Sequence, residues 1–147
     1  MQVNLYVLPK DHEHEKAMLD AFTREPCYKY VHHTNDDLYP YDGTIYSDIN
    51  NKVIAYVECK WRKKQYHTLK IDAQKVQLLV QAADEKEVVG VLLVYWEDKR
   101  ELGYISAHYA EKAPKDVVQR TDRGDPNDRD ISRDIPISWF HRSPLAL

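Results

Sequence analysis

Residues 41–61 read YDGTIYSDINNKVIAYVECKW, and the fold turns on them. Val53–Trp61 is rich in β-branched and aromatic residues, as is the shorter run Tyr41–Tyr46. The polar link Ser47–Lys52 (SDINNK) between them has turn composition. Two strand-like runs joined by a short polar link predict a β-hairpin. Side chains alternate along a strand, so Glu58 and Lys60 point one way while Val57, Cys59 and Trp61 point the other. An ionised acid and an amine inside an apolar strand are costly to bury without a task. If the hairpin pairs around its polar turn, Asp42 comes close to Glu58. Adjoining carboxylates repel unless something cationic sits between them. A divalent metal ion meets that need, with Lys60 as a further positive neighbour.

The flanking sequence supplies the rest of a fold. Residues 11–24 predict a helix with Asp11 as N-cap, acids in its first turn and an apolar stripe of Met18, Leu19 and Phe22; Pro26 stops it. Residues 27–34 read as a strand or extended connection. Lys63–Thr68 reads as a loop. A second helix is expected over about Leu69–Asp84, with Ile71, Val76, Leu79, Val80 and Ala83 at helical spacing. Val88–Trp96 (VVGVLLVYW) is a continuous apolar run of strand length, the mark of a central strand buried on both faces. A charged turn, EDKRELG, leads to a returning strand over Tyr104–Tyr109. Residues 110–134 are polar, with interleaved Arg and Asp, and predict a long loop or mobile arm within a single domain spanning 1–147. Ile135–Phe140 predicts a short edge strand because of Pro136. The string helix, strands, helix, strand, strand gives the fold class α/β (α+β), a mixed central sheet flanked by helices.

Composition narrows the classes of function. The 147 residues carry a net charge of −3, which counts against a protein that coats nucleic acid by charge alone. It counts less against an enzyme whose site needs carboxylates. No stretch has the roughly 18 consecutive apolar residues of a membrane span, and the N-terminus lacks the basic-then-apolar layout of a secretory leader; cytoplasmic localisation is the expectation. Cys27 and Cys59 are too few for a disulfide framework or a thiolate zinc site.

Pro40-Tyr41-Asp42 followed by Glu58-Cys59-Lys60 resembles the signature of the PD-(D/E)XK nuclease superfamily. The order of elements over residues 11–109 resembles that superfamily's restriction-endonuclease-like core. One departure is that Tyr41 separates the Pro from the Asp. The resemblance implies a metal-dependent endonuclease acting on DNA. Asp42 and Glu58 would bind Mg²⁺, with Mn²⁺ able to substitute, helped by the backbone carbonyl of Cys59. Lys60 would position and help deprotonate the attacking water. The family often adds an acid from the first helix. Glu15 is the best candidate, on the 15-18-19-22 stripe facing the sheet, with Glu13 as fallback. The family also uses a polar or basic residue from the second helix, Gln74 or Lys75 here, with Lys75 slightly favoured because an Ile71-Lys75-Leu79 row points towards the sheet. Compact members usually work as homodimers, and a phage or bacterial origin fits.

Other features are weighed against plainer readings. Glu97-Asp98-Lys99 fits the same triplet but falls in a charged turn, where solvated charges need no explanation. Arg62, Lys63 and Lys64 follow the strand and are candidates for phosphate contact; a solvated loop is the alternative. Arg120, Arg123, Arg129 and Arg133 could likewise grip nucleic acid, but they are interleaved with aspartates, and a self-neutralised disordered segment is the alternative; the Arg123-Gly124-Asp125 triplet is read as chance. His12, His14, His32 and His33 lack the i, i+4 spacing of a helical zinc motif and are expected to be surface or structural residues. Tyr39, Tyr41 and Tyr66 are candidates to line a nucleic-acid groove. Two further readings stay open: a non-catalytic binding or assembly module on the same fold, and a structure-selective (junction-resolving) or RNA-directed nuclease.

Overall fold

The computed structural model describes residues 9–34, 38–119 and 129–147. The predicted hairpin is its centre. At the turn, Ser47 N–H donates to Lys52 O at 2.9 Å and Asn51 N–H to Ser47 O at 2.9 Å. Asn51 takes the left-handed conformation, φ 58°, that Asn tolerates better than most residues. This turn joins β2 (Gly43–Ser47) to β3 (Val53–Arg62) in antiparallel register, Thr44 opposite Tyr56 and Ile45 opposite Ala55. Upstream lie helix α1 (Pro9–Phe22) and β1 (Tyr28–His32), which pairs with β2. Downstream follow β4 (Thr68–Asp72), α2 (Ala73–Lys86), β5 (Val89–Trp96), β6 (Glu101–Ser106), α3 (Ala107–Ala110), β7 (Lys115–Gln119), β8 (Arg129–Pro136), a 3₁₀ turn (Ile137–Trp139) and β9 (His141–Pro144).

The main sheet has the order β1-β2-β3-β5-β6-β9. β3 and β5 run parallel and the other neighbours antiparallel, so the sheet is mixed as expected. Parallel neighbours need a crossover, and α2 is part of the one here. Alternation then sorts β3 between two layers. On one face, Ala55, Val57 and Cys59 pack with Val91, Leu93 and Tyr95 against Met18 and Leu19 of α1. On the other, Tyr56 meets Leu79 and Ala83 of α2. Further along that face, Leu92, Val94 and Trp96 pack with Val76 and with Leu69, Ile71 and Ile135 of a smaller sheet, β4-β8-β7. Both faces of β5 are covered, and every residue from Gly90 to Trp96 is buried. No helix among the described residues is long and apolar enough to cross a membrane.

Four expectations are corrected. Residues 69–72 are strand β4 rather than the start of a helix. Asp72 caps the helix that follows, its carboxylate accepting the Gln74 N–H at 2.8 Å. Within 110–134, residues 115–119 and 129–134 form strands rather than a mobile arm; residues 120–128, with Arg120, Arg123 and the Arg123-Gly124-Asp125 triplet, lie outside the described residues. The return strand ends at Ser106, whose hydroxyl accepts the Tyr109 N–H and starts α3. Pro136 ends β8 rather than sitting in an edge strand. At that point β8 is paired only with β4, through Thr68, so the missing N–H of proline costs no ladder bond on the β7 side.

Candidate active site

Asp42 is fixed by its backbone before its side chain is considered. Its N–H donates to Val57 O at 2.8 Å, and its carbonyl accepts from His33 N–H at 2.8 Å. The β2–β3 ladder ends one residue later, at Gly43 opposite Val57. Past that rung the Asp42 carboxylate takes the place of a strand, accepting the Cys59 N–H at 2.7 Å. Both backbone groups of one strand residue point to the same edge, so the Cys59 carbonyl also faces this open side. On its other edge β3 stays paired with β5 as far as Arg62.

This early ending of β2 lets the two faces of β3 share one site. Glu58 and Lys60 lie on the α2 face, and Glu15 comes from α1 on the opposite face. They meet around the open edge in a cleft of about 460 Å³. Its walls include Asp11, His12, His14 and Glu15 from α1, Tyr39, Pro40, Tyr41 and Asp42 from the corner, Glu58 through Arg62 from β3, and Lys75 and Leu78 from α2.

Glu58 is buried, 6 % exposed, and its carboxyl is pushed up to about 7, first by burial and then by the charge of Asp42. Two amines oppose that rise. Lys60 Nζ lies 3.6 Å and Lys75 Nζ 3.8 Å from the same Glu58 oxygen. Lys60 is itself held below the ordinary lysine value by burial, with Glu58 pulling the other way. The Cys59 thiol is pushed far up by burial and by the carboxylates of Asp42, Glu15 and Glu58 around it; it stays protonated.

The structure brings together Asp42, Glu58, the Cys59 backbone, Lys60, Glu15, Lys75 and Arg62. Glu13 is exposed and off the cleft, and Gln74 lines a different depression beside Arg133 and Lys115. Lys63 and Lys64 are exposed and do not line the cleft; Lys64 sits over the Tyr66 ring. Arg62 is held below its ordinary value by burial and donates to Lys70 O at 3.4 Å. The Glu97-Asp98-Lys99 triplet serves the fold: Glu97 accepts from the Trp61 ring N–H at 2.9 Å and Asp98 from the Gln65 N–H at 3.0 Å.

The histidines are where sequence reasoning falls short. His12 and His14 line the cleft, and His14 stacks on Trp61 at 3.8 Å. His32 Nε2 lies 2.9 Å from Glu15 Oε1. Burial, then the charges of His12, His33 and Lys16, holds His32 below its ordinary value. A neutral ring there donates Nε2–H to the Glu15 carboxylate and fixes its direction. The available signal was helical: Asp11, His12 and Glu15 share a face at offsets of one and four.

The donor set fits a hard divalent cation. Oxygen ligands suit Mg²⁺, which takes one or two carboxylates and keeps several waters. Asp42, Glu58 and the Cys59 carbonyl are oxygen donors of that kind, and the Glu58 carboxyl is raised first by burial and then by the neighbouring Asp42 charge. Among the described residues no group of three or more His, Cys, Asp or Glu side chains is already placed to hold a metal ion.

A mixed sheet with this hairpin, crossover helix and strand-edge cleft defines a protein of the restriction-endonuclease-like fold. The same fold is seen in the 1.6 Å structure of Archaeoglobus fulgidus Hjc, a Holliday junction resolvase from an archaeal hyperthermophile, at a TM-score of 0.53, with 15 % identity and 85 % of each chain covered. The family described as "Phage putative PDDEXK endonuclease" matches residues 6–143, and the chain belongs to it. No curated protein matches the chain in sequence.

Proposed function

We propose that this chain is a metal-dependent endonuclease that hydrolyses phosphodiester bonds in DNA, with Asp42, Glu58 and Lys60 at the centre of its site. The observation that carries the reading is the convergence, at one open strand edge, of a buried carboxylate raised to about 7, a second carboxylate, and a part-buried amine held below its ordinary value. Family membership supports the nuclease class.

Asp42, Glu58 and the Cys59 carbonyl would hold Mg²⁺, with Mn²⁺ as a substitute and Glu15 as a further carboxylate. Such an ion stabilises negative charge on the phosphate oxygens and makes bound water more acidic. Lys60 would position the attacking water and accept its proton as the water oxygen bonds to phosphorus and the P–O bond to the leaving sugar oxygen breaks, that oxygen taking a proton from solvent water. The lowered pKa of its amine suits that exchange. Lys75, across Glu58, balances the charge that the phosphate brings in. Arg62 contacts a neighbouring phosphate and so fixes register without reading sequence. One cleft per chain cuts one strand, so cutting both strands of a duplex calls for a homodimer.

The test is cleavage of plasmid, linear and branched DNA with Mg²⁺, Mn²⁺ or EDTA, with Lys60→Ala and Asp42→Asn beside wild type. Metal-dependent cutting should fall by about 10²–10⁴-fold in Lys60→Ala. Cutting equal in all three proteins, or none by wild type on any DNA, refutes the reading.

A further inference from the structure

We propose that Tyr39 is a stacking platform for an unpaired nucleobase, so that the cleft takes DNA with single-stranded character beside the bond to be cut. The inference rests on the nuclease reading and names the substrate class of the same site. The wall formed by residues 39–42 is aromatic and propped from behind. Tyr39 stacks on His33 at 3.7 Å and 16°. Tyr41 stands edge-on to both, at 5.9 Å from Tyr39 and 5.5 Å from His33, and stacks in turn on Tyr56 at 4.2 Å. Tyr56 is buried in the core and His33 Nε2 is 2.7 Å from Thr44 Oγ1, so the stack is anchored to β2 and β3. Tyr39 lines the cleft and is the most exposed member of the cluster. It is 37 % exposed, and the preceding Leu38 is 71 % exposed.

A rigid ring held half open beside cationic groups is the feature that distinguishes single-strand binding surfaces, where bases stack on aromatic side chains while basic groups track the backbone. Lys60, Arg62 and Lys75 supply the cations in the same cleft. A fully paired duplex cannot use the ring in this way. Its base faces are already covered by neighbouring bases, and only backbone and groove edges are presented. An unpaired nucleotide at an overhang, flap, gap or branch offers a free face. The plainer role for the cluster is to brace the corner that carries Asp42, and the two roles respond differently to substitution.

The test measures affinity for two DNAs of equal length, one fully paired and one with an unpaired 2-aminopurine beside the duplex end. Ca²⁺ replaces Mg²⁺ so that strands stay intact. Wild type should favour the unpaired DNA and quench its fluorescence. Tyr39→Ala should lower the ratio of unpaired to paired affinity by about 5- to 140-fold, the range set by one base–aromatic stack, and lose the quench; Tyr39→Phe should restore both. An unchanged ratio in Tyr39→Ala, or an equal loss for both DNAs, overturns the proposal. The absence of metal-dependent cutting by wild type would instead overturn the nuclease reading, while the binding ratio still decides the stacking role.

Discussion

Glu58→Gln should stabilise the metal-free protein at pH 8 and leave it almost unchanged near pH 4.5. In the folded chain the Glu58 carboxyl is raised from 4.5 to about 7, so the folded state keeps its proton longer than the unfolded state. The stability tied to that proton is fully present below pH 4.5 and is lost as the pH rises to about 7. At about 1.36 kcal/mol per pH unit, the loss is on the order of 3 kcal/mol. The isosteric amide cannot ionise and escapes it. Losing the partner of Lys60 at 3.6 Å and of Lys75 at 3.8 Å trims the gain, and the half-exposed Lys75 pair contributes little of that. A chain of this size shifts its melting temperature by roughly 2–4 °C per kcal/mol. Urea and thermal unfolding in EDTA, from pH 4.5 to 8, give the comparison. Wild-type stability should fall with pH relative to the variant, and Mn²⁺ at pH 8 should restore wild type far more than Glu58→Gln. Parallel pH curves for the two proteins would refute the assignment of strain to Glu58.

His32→Leu removes the donor at 2.9 Å from Glu15 and should weaken Mn²⁺ binding, measured by calorimetry, by about ten- to a hundredfold. His32→Gln, which still offers an N–H, should recover part of it; equal affinity in all three proteins would show that Glu15 needs no such support. Gly103→Ala would bring a Cβ to 2.7 Å from the ring of Trp96, which is 1 % exposed. It should cost about 1–3 kcal/mol in urea unfolding by overpacking, and a loss under about 0.5 kcal/mol would mean the indole shifts freely.

The hairpin and the central strand were legible because their information is local. Alternation along Val53–Trp61, the polar turn and the unbroken Val89–Trp96 run each bury or expose residues in a way a short window reports. The β4-β8-β7 sheet was not legible, because its strands are specified by distant partners. Lys70 bonds Asp116 at 2.9 Å and Asp134 at 3.1 Å, and Leu69 pairs with Ile135. Val117 lies opposite Ile131, both about half exposed, so neither strand has the alternation that marks a covered face. At the candidate site, strand alternation, the hairpin and the family resemblance pointed to Glu15, Asp42, Glu58 and Lys60, which line the cleft; Lys75 also lines it, although the row that favoured it began at Ile71, a residue of β4. His12, His14 and His32 were not found, since an imidazole one residue from an acid looks the same whether it turns into a cleft or into solvent.

Gly43 follows Asp42 directly, and a Cβ there would lie 2.9 Å and 3.0 Å from the two terminal carbons of Leu19, a fully buried residue one helical turn beyond Glu15. The helix that brings Glu15 therefore rests its Leu19 side chain on bare backbone next to Asp42, a close approach that the absence of a methyl group at position 43 allows. A side chain at position 43 would act as a shim against Leu19, and in the proposed metal site any shift it forced on the helix would alter the spacing of Glu15 and Asp42. The close packing of helix against corner thus depends on a residue with no charge and no side chain, which a search by chemical type would pass over.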